Sequence, residues 1–514
     1  MKVLLGHAYF LRFDPKLHEA MRPYPPLGTM LAAAQLRAAG HDVVVYDAML
    51  EEDTSGWAHL LSEHRPDAAV IFEDNFNYLS KMCLLNMRDA AIEMLGAAGD
   101  VSHRAICGSD ATDNIGLYLD AGADVVMRGE GDLTLLELCE RWETGVELDG
   151  LAGASWREDG RQIDGPDRRN MKELDTVPFP ARDLVDMDRY ADVWREHHGR
   201  FSTNLVSTRG CPYHCNWCAK PIWGQRYNAR SAEDVVAEMT ELVREHGADH
   251  LWFADDIVGL KPGWVPHFAD LLEAAELDTP FTALSRPDLL VRHETAEAFG
   301  RAGCEIVWIG AESGSQSVLD AMEKGTTVEQ IVEAADRVHA AGFKIAFFIQ
   351  FGYPGETWDD IQATLRLIRR ARPDDVGVSV SYPLPGTPFH ERVEQQLGDK
   401  RNWTDSDDLA MLFEGPYTSA FYRELHRRLH LEYRARRVVW RVRGGDRPGL
   451  REIASALFGL AKLPVSMTRL RRLERSERRS VDTLPIELSP DAAATPTPQP
   501  VELRTTRTST PAQD

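Results

Sequence analysis

Two series of short apolar segments, each segment followed by a helical stretch, set the limits on what this chain can fold into. In the first series KVLLGHA, DVVVYDA, AAVIFED, RAICGSD and DVVMRGE alternate with helical patterns, one through Leu27 to Ala39 and another through Ala91. Strands separated by helices pair in parallel and carry helices on both faces of their sheet. Residues 1–150 are therefore expected to form a doubly wound, Rossmann-like α/β domain. Ligands of such sheets bind at the carboxyl ends of the strands. That end holds Gly6, His7, Asp47, Glu73, Gly108, Ser109, Asp110 and the turn Arg128-Gly129-Glu130-Gly131. No GxGxxG follows the first strand, which disfavours a nicotinamide site.

The second series runs through NLVSTRG, HLWFADD, FTALSRP, EIVWIGAESGS, KIAFFIQFGYPG and DVGVSVSYPLPG. Six such units over residues 196–400 predict an open, partial (β/α)6 TIM barrel. Its conspicuous polar residues all follow strands, the end where barrels do their chemistry. Residues 151–195, with Pro178 and Pro180, read as a connecting segment. Residues 401–481 read as an arginine-rich helical region, and 482–514, with TPTPQP and TTRTST, as a disordered tail.

A length of 514 residues suits two substantial domains with smaller additions. The formal charge of -23 argues against a general nucleic-acid binder, because neutralising phosphates takes a basic surface. The opening MKVLLGHAYF lacks the length and cleavage site of a secretory signal, and no run of eighteen apolar residues exists. A cytoplasmic location is expected. There, clustered cysteines are metal ligands more often than disulfides.

Three of the seven cysteines, Cys211, Cys215 and Cys218, fall within RGCPYHCNWC, directly after the first strand of the second series. This CxxxCxxC spacing puts three soft thiolates on one loop, suited to three corners of an iron-sulfur cube. The fourth iron is left open to a small chelating molecule. Structural zinc would take four protein ligands, usually as two separated pairs. His214 as the fourth would force a strained chelate. Cys83, Cys107, Cys139 and Cys304 lie singly in apolar patterns and are expected in the core. Cys304 enters a barrel strand and is expected near the site.

These motifs resemble those of the radical S-adenosylmethionine (SAM) superfamily. The resemblance implies a 4Fe-4S cluster on the three cysteines, with SAM on the open iron, reductively cleaved to a 5'-deoxyadenosyl radical. By motif position it implies that Asp255 and Asp256, in FADD, accept the SAM amino group. Arg286 would neutralise its carboxylate. Glu312, Ser313 and Gly314, in GAESGSQ, would meet the ribose side. GYPGET at 352–357 and PLPGTP at 383–388 match the turns after the fifth and sixth strands.

A doubly wound domain ahead of this barrel resembles the cobalamin-binding subgroup of that superfamily. The carrying residues are PPLG at 25–28, GHDVVVYDA, GSDAT at 108–112 and VMRGEGDLTLLEL. The resemblance implies cobalamin over the first domain's strand ends, near Gly108, Ser109, Glu130 and Gly131. No aspartate-x-histidine-x-x-glycine run is present, so the corinoid is expected without a histidine on cobalt.

Three activities are consistent with this set. Methyl transfer to an unactivated carbon is preferred. Its rival is radical oxidative cyclisation, as in the anaerobic magnesium-protoporphyrin monomethyl ester cyclases, which EDNFNYLSKMC at 73–83 also resembles. The third, a non-catalytic corinoid or redox sensor, would not need a full SAM pocket. A small-molecule substrate and an external electron donor such as flavodoxin or ferredoxin are the expected partners. The arginine-rich helices, with Trp440, Phe458, Leu460 and Leu463 interleaved, are expected to pack on the barrel with a solvated face, cap the substrate cavity, or rest peripherally on an anionic membrane.

Overall fold

The computed structural model describes residues 1–76, 84–220, 222–292, 294–398, 409–445 and 447–477. The 77–83 stretch of EDNFNYLSKMC, with Cys83, and the tail from 482 lie outside them.

The first sheet contains β1 (Lys2–Gly6), β2 (Asp42–Tyr46), β3 (Ala68–Phe72), β4 (His103–Cys107) and β5 (Val125–Met127), all parallel. It continues into an antiparallel hairpin, β6 (Ala154–Glu158) and β7 (Arg161–Asp164), in the order β2-β1-β3-β4-β5-β6-β7. Alternation along each strand feeds two cores. Val3, Leu5, Ala68, Val70 and Phe72 pack on one face, with Ala33, Leu36, Leu135 and Leu138. Leu4, Ala69 and Ile71 pack on the other, with Trp57, Met94 and Leu95. Strands buried on both sides must be apolar throughout, as AAVIF is.

The hairpin extends the first sheet past residue 150, into what reads in the sequence as connection. Its cause is local. Glu158 pairs with Arg161 across Asp159-Gly160, whose φ values are +48° and +75°. An Asp-Gly dipeptide favours such a two-residue turn.

The second sheet is wholly parallel: β8 (Ser202–Leu205), β11 (His250–Phe253), β12 (Phe281–Ser285), β13 (Cys304–Glu312), β14 (Lys344–Phe351) and β15 (Asp375–Val380), paired in that order. It is the open six-stranded barrel expected from the sequence. Helices such as Ala232–Arg244, Val328–Ala340 and Trp358–Ala371 cover its outer face through Val235, Met239, Ile331, Ala335, Ile361 and Leu365. A two-stranded antiparallel ribbon, β9 (Thr208–Arg209) with β10 (Asn228–Ala229), closes the base of the cysteine loop.

The carboxyl-terminal region is a hairpin of two long helices, Ser419–Arg443 and Leu450–Glu477. Phe421, Tyr422, Leu425, Leu429 and Tyr433 of the first join the barrel core, and Leu470 of the second returns to it. Among the described residues, no helix is long and apolar enough to cross a membrane.

Candidate functional site

The cysteine loop leaves β9 at Arg209 and returns at β10. Cys211, Cys215 and Cys218 are half-buried and line one cavity of about 390 Å³ at the carboxyl ends of the barrel strands. Asp255, Asp256, Arg286, Glu312, Trp308 and Phe348 share that cavity. Asn75 and Phe76, just past β3 of the first sheet, line it too. Burial raises the Cys211 thiol above its ordinary pKa, partly offset by Lys220. Among the described residues, no three His, Cys, Asp or Glu side chains gather round one point as a single ion requires. Three thiolates on one loop suit three corners of an iron-sulfur cube.

The two aspartates after β11 have different surroundings. Asp255 is buried and accepts from the Ser207 amide (3.0 Å), the Ser207 hydroxyl (2.9 Å) and the Thr208 hydroxyl (2.5 Å). It therefore braces the turn from β8 into β9. Burial still pushes its pKa to about 6. Asp256 is exposed at the cavity wall.

Arg286 is buried, and two of its nitrogens are engaged. Nε donates to Asp288 (2.8 Å) and Nη2 to the Lys324 carbonyl (2.9 Å). Its guanidinium stacks 3.5 Å from the ring centroid of Tyr213, inside the cysteine loop. Loop and arginine thus hold each other.

Glu312 ends β13 at a register shift, with φ of +56°. The strained backbone turns its carboxylate inward onto the Lys324 ammonium at 2.9 Å, and both side chains are buried. Gly310 makes that pair possible, because a Cβ there would overlap both charged groups. Ser313 and Gly314 do not line the cavity. Ser313 Oγ lies 3.1 Å from the Thr364 hydroxyl, and a Cβ on Gly314 would strike the backbone at Ala363. Their close approach is to the helix Trp358–Ala371, so Gly314 serves packing there.

The residues expected over the first sheet are largely committed elsewhere. Glu130 accepts from Arg209 (2.5 Å) and from the Met171 amide (2.6 Å), and Asp132 accepts from Arg209 (3.1 Å) and Gln35 (2.7 Å). Arg209 is the residue that opens the cysteine loop, so the acidic turn of the first unit clamps the base of that loop. Burial raises Glu130 above its ordinary range despite Arg209. Glu130 is thus an ion-pair residue between the two sheets, and not an exposed contact. A Cβ on Gly131 would meet Phe72 and Cys107, and one on Gly108 would meet Glu73 at 2.9 Å, so both glycines permit packing. Ser109 opens the helix Ser109–Asp113. Asp74 caps the helix Leu27–Ala38, accepting from Leu27 (3.2 Å) and Gly28 (3.0 Å), which explains the PPLG turn. His7 is buried against Asp47 at 3.0 Å.

Residues 205–368, the stretch from β8 through the helix Trp358–Ala371, match the sequence profile of the Radical SAM superfamily. The barrel carries a radical SAM domain. Proteins of this superfamily use a 4Fe-4S cluster and SAM. An uncharacterised methyltransferase of Pyrococcus horikoshii is 28% identical over 386 residues, 74% of this chain and 81% of the relative. An anaerobic magnesium-protoporphyrin IX monomethyl ester cyclase of Rubrivivax gelatinosus is 25% identical over 284 residues, 54% of this chain and 49% of its own. Among solved structures, the radical SAM methyltransferase TsrM of Kitasatospora setae, with cobalamin and a 4Fe-4S cluster bound, superposes with a TM-score of 0.63. It is 19% identical, covering 77% of this chain and 78% of that one. At that identity the likeness is one of fold.

In this radical SAM domain sequence reasoning passed over Lys324, Trp217 and Trp223. All three line the cavity, and the two indole N–H groups are buried with no acceptor among the described residues. Buried donors are rarely left unpaired, so the site fits a bound polar group. Trp217 sits inside CNWC and was legible there. Lys324, twelve residues beyond Glu312, carried no local signal. Cys304, expected near the site, starts β13 and so lies at the opposite end of the strand from Glu312.

Proposed function

We propose that this chain is a cobalamin-dependent radical SAM methylase acting on an unactivated carbon of a small molecule, with electrons from a flavodoxin- or ferredoxin-type donor. The carrying observation is the composition of one cavity: three cysteines and the acid-arginine-glutamate set of the barrel, walled also by Asn75 and Phe76 at the end of β3. In this reading Cys211, Cys215 and Cys218 hold the cluster. Asp256 takes the SAM amino group, and Asp255 supports it by fixing the β8–β9 turn. Arg286, held by Asp288 and Lys324, faces the SAM carboxylate through a charge-assisted hydrogen bond. Glu312, fixed by Lys324, meets the ribose, and the Trp217 and Trp223 N–H groups find acceptors. Trp308, Phe348 and Phe76 exclude water.

When bound, the reduced cluster and SAM supply a 5'-deoxyadenosyl radical, and the corinoid supplies a methyl group. The strand ends of the first sheet, with Gly108 and Ser109, hold the corinoid in this reading. His7 Nε2 meets Asp47 and the Ala48 amide, and this reading gives it no role on cobalt. The likeness to a cyclase favours oxidative cyclisation as the second reading. Anaerobic protein with cobalamin, reductant and SAM separates the two. Methylation yields both S-adenosylhomocysteine and 5'-deoxyadenosine; cyclisation yields 5'-deoxyadenosine alone. Neither product would overturn both.

A further inference from the structure

Ten large hydrophobic residues are exposed among the described residues, and eight of them lie on the carboxyl-terminal helical hairpin. They are concentrated at its distal end. Val442 is 56% exposed at the close of the first helix. Leu450 (87%), Leu457 (62%), Phe458 (58%), Leu460 (53%) and Val465 (72%) follow on the second. The proximal parts of the same helices are buried on the barrel, where Ser466 donates to Glu424 at 2.6 Å and Leu470 is enclosed. The second helix from Leu450 to Val465 is roughly 24 Å long at 1.5 Å per residue. The distal end is thus a two-helix arm, with apolar side chains presented to solvent.

Charge identifies what would cover it. Residues 432–477 hold twelve arginines and lysines against five acidic residues, in a chain whose formal charge is -23. Arg443, Arg447, Arg451 and Lys462 are exposed around the apolar tip. Lys462 lies 3.9 Å from the ring centroid of Phe458, so a cationic head sits directly on an apolar contact residue. Exposed leucine and phenylalanine interleaved with basic residues fit the boundary between acyl chains and anionic headgroups. We infer that the arm is a peripheral docking surface for an anionic lipid bilayer. It does not line the cavity, whose described lining ends at Leu384. Docking therefore leaves the chemistry of the barrel untouched and places the protein at a membrane surface.

The test is co-sedimentation of the full-length protein with phosphatidylcholine vesicles, with and without phosphatidylglycerol as a third of the lipid. The arm predicts binding only to the anionic vesicles, weakened by salt. Reversing Arg443, Arg447 and Arg451 to glutamate should weaken it about a hundredfold or more, since each basic residue near such a surface contributes about fivefold. Leu457→Ser with Phe458→Ser should abolish it. All these positions are exposed, and unchanged circular dichroism verifies folding. Equal binding to both vesicle types, binding to neither, or a dimer that the serine variant converts to monomer without vesicle binding would overturn the inference.

Discussion

Lys324 and Glu312 are a buried pair whose energetics turn on each other. Burial works against the charge of Lys324, and the Glu312 carboxylate more than restores it, holding the ammonium above its ordinary pKa. Removing one partner leaves an uncompensated charge, so Glu312→Gln and Lys324→Met should each destabilise by about 3–5 kcal/mol. The double variant should cost less than their sum. Urea denaturation of the four proteins measures this, and additive losses would refute the coupling. A second buried carboxyl, Glu356, has its pKa raised by burial. Glu356 accepts from the Gly352 amide at 2.7 Å, and burial pushes it to about 8 from an ordinary 4.5. Between those values the fold holds a proton that the unfolded chain has released, so stability falls as pH rises from about 4.5 to 8. Glu356→Gln should match the unmodified protein near the lower limit and unfold at a higher temperature near the upper one. Parallel curves would contradict it. Sequence spacing singled out Cys211, Cys215, Cys218, Arg286 and Glu312 because the roles proposed for them depend on motif order. Lys324 and Glu356 owe theirs to burial, which no spacing records.

At the scale of elements, β9 with its arginine joins the two sheets. Arg209 is buried between Glu130 and Asp132, and its guanidinium lies 5.7 Å from the Phe76 ring centroid. Arg209→Met should strand two buried carboxylates, costing about 3–5 kcal/mol, and should loosen the loop that begins one residue later. Arg209→Lys should recover only part, because an ammonium cannot reach both carboxylates as a fork does. Thermal unfolding of both variants, with iron content after reconstitution, measures it. Equal stability of all three proteins would show that the clamp contributes nothing. The strand-helix alternation made both sheets legible, since each strand is apolar by necessity. The VMRGEGD turn was legible as important and misjudged in role, because its partner lies 79 residues away from Glu130. The β6–β7 hairpin was signalled by its Asp-Gly turn and obscured by a mostly polar edge strand.

In the whole molecule two sheets, each offering its strand ends, wall one cavity, proposed to hold a cluster with SAM and a corinoid. The sequence made each half readable, because each carries its own alternation and turns. It could not place the halves against each other. That depends on long-range contacts such as Arg209 to Glu130 and Tyr190 to Asp47 at 2.7 Å. The most direct measurement is iron and cobalt content of the full-length protein and of Cys215→Ala, isolated anaerobically with cobalamin supplied. About four irons and about one cobalt per chain are expected, with Cys215→Ala losing the iron and keeping the cobalt. About four irons with no cobalt, or a Cys215→Ala variant with undiminished iron, would contradict the proposal.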